Sequence, residues 1–211
     1  MIRFIFLYPL SILFGLFTFL RNKLYDFKIS KSYRSTLKVI SIGNITVGGN
    51  GKTPLAMLLS SELSKIGYVP VILTRGYKGK ESGPSVVTFY DHARDVGDEA
   101  KLMASHGHVV IIAKDRVAGA KFIEERKLGN LIILDDGFQH RRLRRDIDIV
   151  CIDVATKEAA GHLLHGWLLP LGRLREAVIP ALTRVDCLVF SVGSGDSNDE
   201  KYITQIKNKF R

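Results

Sequence analysis

A glycine-rich turn between an apolar run and a helix-like run constrains this 211-residue chain more than any other feature. The stretch SIGNITVGGNGKTPLAML, residues 41–58, continues the apolar run KVISI and has four glycines between positions 43 and 51. In such a turn, successive backbone N–H groups and the N-terminus of the following helix form a cradle for an anion. A lysine and a threonine at the start of that helix are typical of phosphate and Mg²⁺ binding. We therefore predict nucleotide binding by Gly48, Gly49, Asn50, Gly51, Lys52 and Thr53.

An ordinary glycine turn before a helix is the alternative interpretation of this stretch. The usual first glycine of the GxxxxGK[ST] pattern falls on Thr46, and Gly43 lies three residues earlier. The strand-like run before the turn and the leucine-rich run after it favour the nucleotide interpretation, because the motif joins a strand to a helix.

The chain carries an excess of positive charge. It has 31 Lys and Arg against 21 Asp and Glu, a net charge of +10. Such an excess indicates an anionic partner, which is a nucleic acid, a phosphorylated ligand or an acidic membrane surface. The two cysteines, Cys151 and Cys187, each lie in an apolar run, so we predict buried, unpaired thiols on strands in a reducing compartment.

The N-terminal region contains an uncharged apolar run, residues 4–20. As a helix of about 1.5 Å per residue it is at the short end for crossing a bilayer. No small-residue cleavage site follows it, and the run shows no polar face of the kind that a core helix has. Six basic residues follow it: Arg21, Lys23, Lys28, Lys31, Arg34 and Lys38. We predict a membrane-associating helix with the downstream domain in the cytoplasm; spanning and one-leaflet arrangements both stay open.

After Leu37 the chain alternates short apolar runs with helical patterns, which predicts an α/β fold with a mostly parallel sheet and flanking helices. The predicted strands are 37–42, 70–74, 86–89, 109–113, 131–135, 148–152 and 186–191. The predicted helices are 53–66, 98–106 and 115–128. We expect three parts: the N-terminal helix and its basic flank (1–30), a P-loop kinase-like domain (31–192), and a polar tail or the start of a second lobe (193–211).

Two acidic motifs are candidates for the chemistry. Asp135 and Asp136 end the apolar run LIIL, and a carboxylate at that strand end can hold Mg²⁺ opposite Thr53, unless the pair only forms an Asp-Gly turn. Asp98 of VGDE is either a helix N-cap or a general base for a substrate hydroxyl.

Two basic motifs are less specific. RRLRR, residues 141–145, is either a solvated or lipid-facing charge run or a set of phosphate contacts. LPLGRLRE, residues 169–176, places Arg175 and Glu176 on a loop, and its alternative interpretation is a surface turn.

Taken in order, five motifs of this chain resemble the tetraacyldisaccharide 4′-kinase family, the membrane-associated lipid A kinases of Gram-negative bacteria. The motifs are GNITVGGNGKTP, TRGY (74–77), VGDE (96–99), DDGFQHRRLRRDIDIV (135–150) and LLPLGRLRE (168–176). The resemblance implies a P-loop kinase that moves the γ-phosphate of ATP to the 4′-hydroxyl of a lipid A disaccharide 1-phosphate. It implies ATP and Mg²⁺ at Lys52 and Thr53, metal or phosphate work near Asp135 and Asp136, and catalytic roles for Asp98, Arg175 and Glu176.

The resemblance also implies a location and partners. The N-terminal helix of the family docks on the inner membrane, so we expect the cytoplasmic face of that membrane, a lipid A precursor as partner, and neither a nucleic acid nor a protein partner. Family members are longer, and their second lobe supplies a histidine that partners the aspartate matching Asp98. We therefore expect a truncated chain, and an impaired remnant that binds only nucleotide and membrane is one alternative. A membrane-associated regulatory ATPase is another, although Val47 stands where many such ATPases carry a lysine.

Overall fold

The computed structural model describes residues 2–48, 51–192 and 198–210, with side chains described from Phe6 onwards in the first helix and from Asp199 onwards in the last. The helices are α1 (Ile2–Asp26), α2 (Lys52–Lys65), α3 (Ala93–Val96), α4 (Asp98–Ser105), α5 (Arg116–Arg126), α6 (Lys157–His165), α7 (Val178–Leu182) and α8 (Asn198–Lys209). The strands are β1 (Lys38–Asn44), β2 (Pro70–Thr74), β3 (Ser85–Val87), β4 (Val109–Ile112), β5 (Leu131–Asp135), β6 (Ile147–Asp153) and β7 (Cys187–Ser191).

The seven strands form a sheet in the order β3-β4-β2-β5-β1-β6-β7. The pairs β1–β5, β2–β4 and β2–β5 are parallel, and β3 is antiparallel to β4. Every residue of β2 and β5 is buried, as their continuous Val, Ile and Leu runs predict for strands covered on both faces. The predicted α/β fold with a mostly parallel sheet is confirmed.

All seven predicted strands and all three predicted helices are present, with ends that differ by two residues at most. Sequence reasoning missed four shorter or more polar helices: α3, α6, α7 and α8. Helix α8 lies inside the segment predicted as a polar tail, where charged side chains hide the apolar period that identifies a helix.

The chain divides into two compact units. Unit 1 comprises Met1–Ser30, Asn44–Gly51 and Val150–Arg211, and unit 2 comprises Lys31–Gly43 and Lys52–Ile149. The core of unit 2 packs α5 against the sheet, and Gly119 permits this approach because a Cβ there would lie 2.6 Å from Leu73 Cδ1. The predicted boundaries after residues 30 and 192 stay predictions.

Helix α1, in unit 1, has an inverted distribution of side chains. Its small and polar residues face protein: Ser11 and Thr18 are buried. Its large apolar residues, among them Leu13 and Phe17, are exposed. The expectation that this run has no polar face is therefore wrong, because single small polar residues spaced along one side form a face that composition does not show. Within the described residues, no helix has the length and apolar character needed to cross a membrane.

Both cysteines are unpaired, as predicted. The thiol of Cys151 is buried within β6, but the prediction that Cys187 is buried is wrong. Cys187 is the first residue of β7, which ends the strand order of the sheet, so its position leaves it exposed.

Candidate active site

The glycine turn joins β1 to α2 as predicted. Gly48 and Gly51 have φ angles of 130° and 74°, a region that side-chain-bearing residues rarely adopt. The buried Asn44 donates from Nδ2 to the carbonyl oxygen of Gly48 at 3.5 Å. The turn therefore needs glycine at both described positions, while the predicted residues Gly49 and Asn50 lie outside the described residues.

Helix α2 starts in unit 2 with the two residues predicted to bind phosphate and Mg²⁺, Lys52 and Thr53. Lys52 Nζ lies 3.6 Å from Asp136 Oδ1. The lysine side chain is mostly buried, and that of the aspartate is 39% exposed. The structure thus brings the predicted phosphate lysine and a predicted metal ligand together.

Asp135 is the last residue of β5 and is almost completely buried. Its Oδ2 accepts a hydrogen bond from Thr74 Oγ1 at 2.9 Å. Its Oδ1 has no hydrogen-bond partner among the residues that the structure describes. The pKa of Asp135 is raised to about 6, mainly by burial and also by the nearby carboxylates of Glu99 and Asp136, while the Thr74 hydrogen bond and the Lys52 charge act in the opposite direction.

This carboxylate pair fits a magnesium ion. A cation would satisfy the buried oxygen that has no partner among the described residues and would reduce the repulsion between Asp135 and the neighbouring carboxylates. Within the described chain, no group of three or more His, Cys, Asp and Glu side chains is arranged for a metal. Mg²⁺ does not require one, because it commonly binds through one or two carboxylates together with substrate phosphates and water.

The turn after Asp135 folds back over the end of β1. Asp136 has a φ of 49°, and Gly137 N–H donates to the carbonyl oxygen of Ile42 at 3.1 Å. A Cβ on Gly43 would lie 2.4 Å from Phe138 Cβ and 2.8 Å from Phe138 N, so only glycine fits there. This contact fixes the Asp135–Asp136 corner against β1, so the Asp-Gly turn is present, and the metal site at the same corner stays a prediction.

Asp98 is the first residue of α4 and its side chain is exposed. The N-cap of α4 is Gly97, so the interpretation of Asp98 as the N-cap is wrong. A Cβ on Gly97 would lie 2.6 Å from Tyr77 O, and one on Gly76 would lie 2.9 Å from Val96 O. The TRGY and VGDE motifs therefore pack backbone against backbone, which accounts for glycine in both.

Sequence reasoning missed a buried basic group beside the two aspartates. Arg116, at the start of α5, donates to the carbonyl oxygens of Ala113 and Lys114 at 3.1 and 3.3 Å, and its Nε has no partner among the described residues. Burial lowers its pKa, as does the charge of Arg75, while Asp135 and Asp136 act in the opposite direction. The only sequence signal was an Arg directly after an N-cap aspartate, which is an unremarkable helix start.

The arginines of the basic run 141–145 lie in different environments in the folded chain. The side chain of Arg145 is mostly buried and forms a two-pronged ion pair with Asp148, with Nη2 3.0 Å from Oδ2. Arg142 is exposed and pairs with Asp115 at 3.5 Å. The solvated-run interpretation is therefore wrong for Arg145, whose charge is neutralised inside unit 2.

Arg175 and Glu176 lie in unit 1. Arg175 N–H donates to the carbonyl oxygen of Ile45 at 2.8 Å. Glu176 is almost completely buried; its Oε2 accepts from Asn22 Nδ2 at 2.8 Å and forms an ion pair with Arg184. The surface-turn interpretation is wrong for Glu176.

A glycine turn between a strand and a helix, a lysine at the helix start and an acidic pair at the end of a parallel strand are the features of P-loop nucleotide-binding proteins. The comparison with known proteins narrows the class. A family model described as tetraacyldisaccharide-1-P 4′-kinase (LpxK) matches residues 3–211. The chain belongs to this kinase family.

Curated relatives support this assignment. The chain is similar to a tetraacyldisaccharide 4′-kinase of Chlorobaculum parvum, with 36% identity over 94% of this chain and 56% of the relative. It is 39% identical to a tetraacyldisaccharide 4′-kinase of Psychromonas ingrahamii, over 90% of this chain and 57% of the relative. The chain therefore spans a little more than half the length of these relatives.

A solved structure shares the fold. The crystal structure of LpxK from Aquifex aeolicus in complex with ATP matches with a TM-score of 0.76 and 37% identity. The match covers 87% of this chain and 57% of that chain.

Proposed function

We propose that this protein carries out ATP-dependent transfer of the γ-phosphate to the 4′-hydroxyl of a lipid A disaccharide 1-phosphate. The proposal rests on the ion pair between Lys52 and Asp136, beside the buried carboxylate of Asp135. One oxygen of that carboxylate has no hydrogen-bond partner among the described residues. A lysine and two carboxylates at the end of a parallel strand are what binding of a Mg²⁺–triphosphate needs. The lipid A disaccharide is proposed as the phosphate acceptor because the chain belongs to the tetraacyldisaccharide-1-P 4′-kinase family.

Lys52 and the N–H groups of the glycine turn would hold the β- and γ-phosphates. Thr53, Asp135 and Asp136 would hold Mg²⁺, which when bound offsets charge on the phosphate oxygens. The full burial of Asp135 keeps water away from one side of this group and strengthens every charge interaction there.

Asp98 is the proposed acceptor of the sugar hydroxyl proton, since its side chain is exposed at the start of α4 and a general base must reach its substrate. Arg175 is the proposed cation for charge that develops on the transferred phosphoryl group. The catalytic proposal for Glu176 has less support, because its carboxylate is buried and held by Asn22 and Arg184.

The exposed apolar side of α1 supports docking on the inner membrane, at its cytoplasmic face. Phe6, Leu13 and Phe17 are each more than half exposed, and they share a helix with a buried Ser11. A large exposed apolar surface on one helix is typical of membrane or partner contact. A lipid-embedded acceptor requires such docking.

A transfer assay tests the proposal. Residues 1–211 and a full-length relative are incubated with γ-labelled ATP, Mg²⁺ and the lipid A disaccharide 1-phosphate in detergent micelles. We expect residues 1–211 to bind Mg-ATP and to transfer labelled phosphate to the lipid. Folded protein that binds no ATP, or that binds ATP and labels no lipid, would overturn the kinase proposal.

A further inference from the structure

A continuous set of contacts inside unit 1 joins helix α1 to the start of the glycine turn. The first contacts lie along one side of α1. Ser11 Oγ donates to the carbonyl oxygen of Leu168 at 2.9 Å, and a Cβ on Gly15 would lie 2.7 Å from Leu168 Cδ1. The ring of Tyr8 meets that of Trp167 edge-on, with centroids 6.0 Å apart.

The same side of α1 ends on Glu176. Asn22 lies seven residues after Gly15, so the two share a helix face, and its amide donates to Glu176 at 2.8 Å. Arg184 donates to the same carboxylate oxygen. Glu176 therefore receives donors from α1 and from the segment after α7, and it is almost completely buried.

The segment between these anchors pairs with the residues that lead into the glycine turn. Val47 N–H donates to the carbonyl oxygen of Arg173, and Arg175 N–H donates to that of Ile45, both at 2.8 Å. Thr46 and Leu174 form an antiparallel bridge between them. Gly48 follows directly, so the position of residues 173–175 determines the backbone path of residues 45–47 into the turn.

We propose that Glu176 is a positioning residue that couples helix α1 to the start of the glycine turn. Glu176 directly follows Arg175, whose backbone pairs with Ile45. The carboxylate of Glu176 accepts a hydrogen bond from the Asn22 amide of α1. When α1 docks on a membrane surface, any change in its position is passed through Asn22 and Glu176 to the backbone of residues 45–47. The affinity for a nucleotide then changes with the position of α1. The coupling rests on the proposed function only in naming ATP as the ligand whose affinity changes.

The competing explanation is that Glu176 only stabilises unit 1. A buried carboxylate that loses a donor destabilises the fold, and this raises hydrogen exchange wherever exchange requires global unfolding. A positioning role instead changes exchange at particular amides. The amides of Val47 and Arg175 are the direct reporters, because their hydrogen bonds form the pairing itself.

Hydrogen–deuterium exchange on the full chain tests the coupling. We compare the native sequence with Asn22→Ala, which removes the donor, and with Asn22→Gln, which keeps an amide. The matched control is Leu20→Ala, on the exposed side of the same helix. We expect Asn22→Ala to raise exchange at Val47 and Arg175 by about fivefold or more, in the range of typical couplings between sites. The Gln variant should recover part of this, and the control should match the native protein.

Three outcomes decide the matter. Unchanged exchange at Val47 and Arg175 in Asn22→Ala overturns the proposal, as does an equal rise at these amides and at buried amides of β2 in unit 2. A selective rise at the two reporters supports it. Ser11→Ala, which removes a donor at the other end of the contact set, should give a smaller change of the same kind.

A second measurement uses the affinity for ATP. Binding of Mg-ATP is titrated with and without vesicles of phosphatidylcholine and phosphatidylglycerol, and vesicle binding is measured by co-sedimentation. We expect vesicles to shift ATP affinity severalfold for the native protein and not for Asn22→Ala, with equal vesicle binding by both. Equal shifts in the two proteins would overturn the coupling. If the native protein binds no ATP, the proposed function fails, and the exchange result still decides the role of Glu176.

Discussion

Lys52 Nζ lies 3.6 Å from Asp136 Oδ1, across the corner where α2 starts and β5 ends. The two groups lie more than eighty residues apart in the sequence, and the Gly43–Phe138 contact packs the end of β1 against the turn that follows β5. A lysine that reaches phosphate and a carboxylate that reaches Mg²⁺ have complementary charges even before a ligand binds. The ion pair therefore holds both side chains at the proposed phosphate and Mg²⁺ site.

Removing the Lys52 ammonium should weaken ATP binding. Charge-assisted hydrogen bonds to an ionised group contribute about 1.5–3 kcal/mol, which corresponds to a loss of about tenfold to a hundredfold in affinity for Lys52→Ala. Titration of Mg-ATP by calorimetry measures this. Lys65→Ala, on the exposed last turn of the same helix, is the control. Unchanged affinity in folded Lys52→Ala would remove the P-loop interpretation.

Asp135→Asn should stabilise the protein in the absence of Mg²⁺ and remove its response to Mg²⁺. The ionised carboxylate is buried with one oxygen unpaired among the described residues, and its pKa is raised to about 6. Neutralising it at pH 7 should add about 1–3 kcal/mol to the free energy of unfolding. Urea denaturation in EDTA and in Mg-ATP measures both effects. A variant that is less stable in EDTA and keeps the Mg²⁺ response would contradict a metal role.

Gly43→Ala should destabilise the fold strongly, because its Cβ would overlap Phe138 at 2.4 Å, and the neighbouring contact is backbone. Overpacking of this kind costs about 1–3 kcal/mol, and the cost rises when backbone must move. Gly83→Ala is the matched control, since a Cβ there meets nothing within 4 Å. Thermal unfolding compares the two. Equal melting temperatures for both variants would show that the Asp135–Asp136 corner is not held by this contact.

His140 should make the protein less stable as the pH falls from 6.5 towards 4. Burial lowers its pKa to about 4, and the charge of Arg116 acts in the same direction. The unfolded chain therefore binds this proton first, and stability is lost between the two pKa values. After a discount for partial exposure, we expect about 1 kcal/mol between pH 7 and pH 5.

His140→Gln should remove this part of the slope. The measurement is the difference in unfolding free energy between the native protein and the variant, taken by urea denaturation at pH 5, 7 and 8. The difference should change between pH 5 and 7 and stay constant between 7 and 8. A constant difference over all three values would contradict the assignment.

A charge on the exposed side of α1 should weaken membrane binding. Phe17 is 63% exposed, and burying such a side chain in lipid contributes about 1.5–3 kcal/mol, so Phe17→Glu should lower vesicle partitioning by about tenfold or more. Leu58→Glu, on the exposed side of α2, is the control. Co-sedimentation with phosphatidylglycerol vesicles gives the partition coefficients. Equal losses in both variants would point to a non-specific effect of charge.

Much of this protein follows from sequence pattern alone. Continuous Val, Ile and Leu runs of strand length identified several strands, among them β2 and β5, because a strand buried on both faces needs apolar residues at every position. The glycine turn, Lys52 and the acidic pair at the end of β5 were found together, because the carboxyl ends of parallel strands meet at one edge of the sheet. These are local signals, and each is complete within a short stretch of chain.

Tertiary structure decided the environments of the same residues. The partner of Asp135 is Thr74, 61 positions away, and no pattern near Asp135 indicates that one of its oxygens has no partner among the described residues. Ser11 meets Leu168 across 157 positions, and Glu176 meets Asn22 across 154, so the inward polar face of α1 and the burial of Glu176 are equally hidden in the sequence. Sequence determines which groups are available and in which local conformation. Burial, partner and protonation depend on which distant segments the folded chain brings to each group.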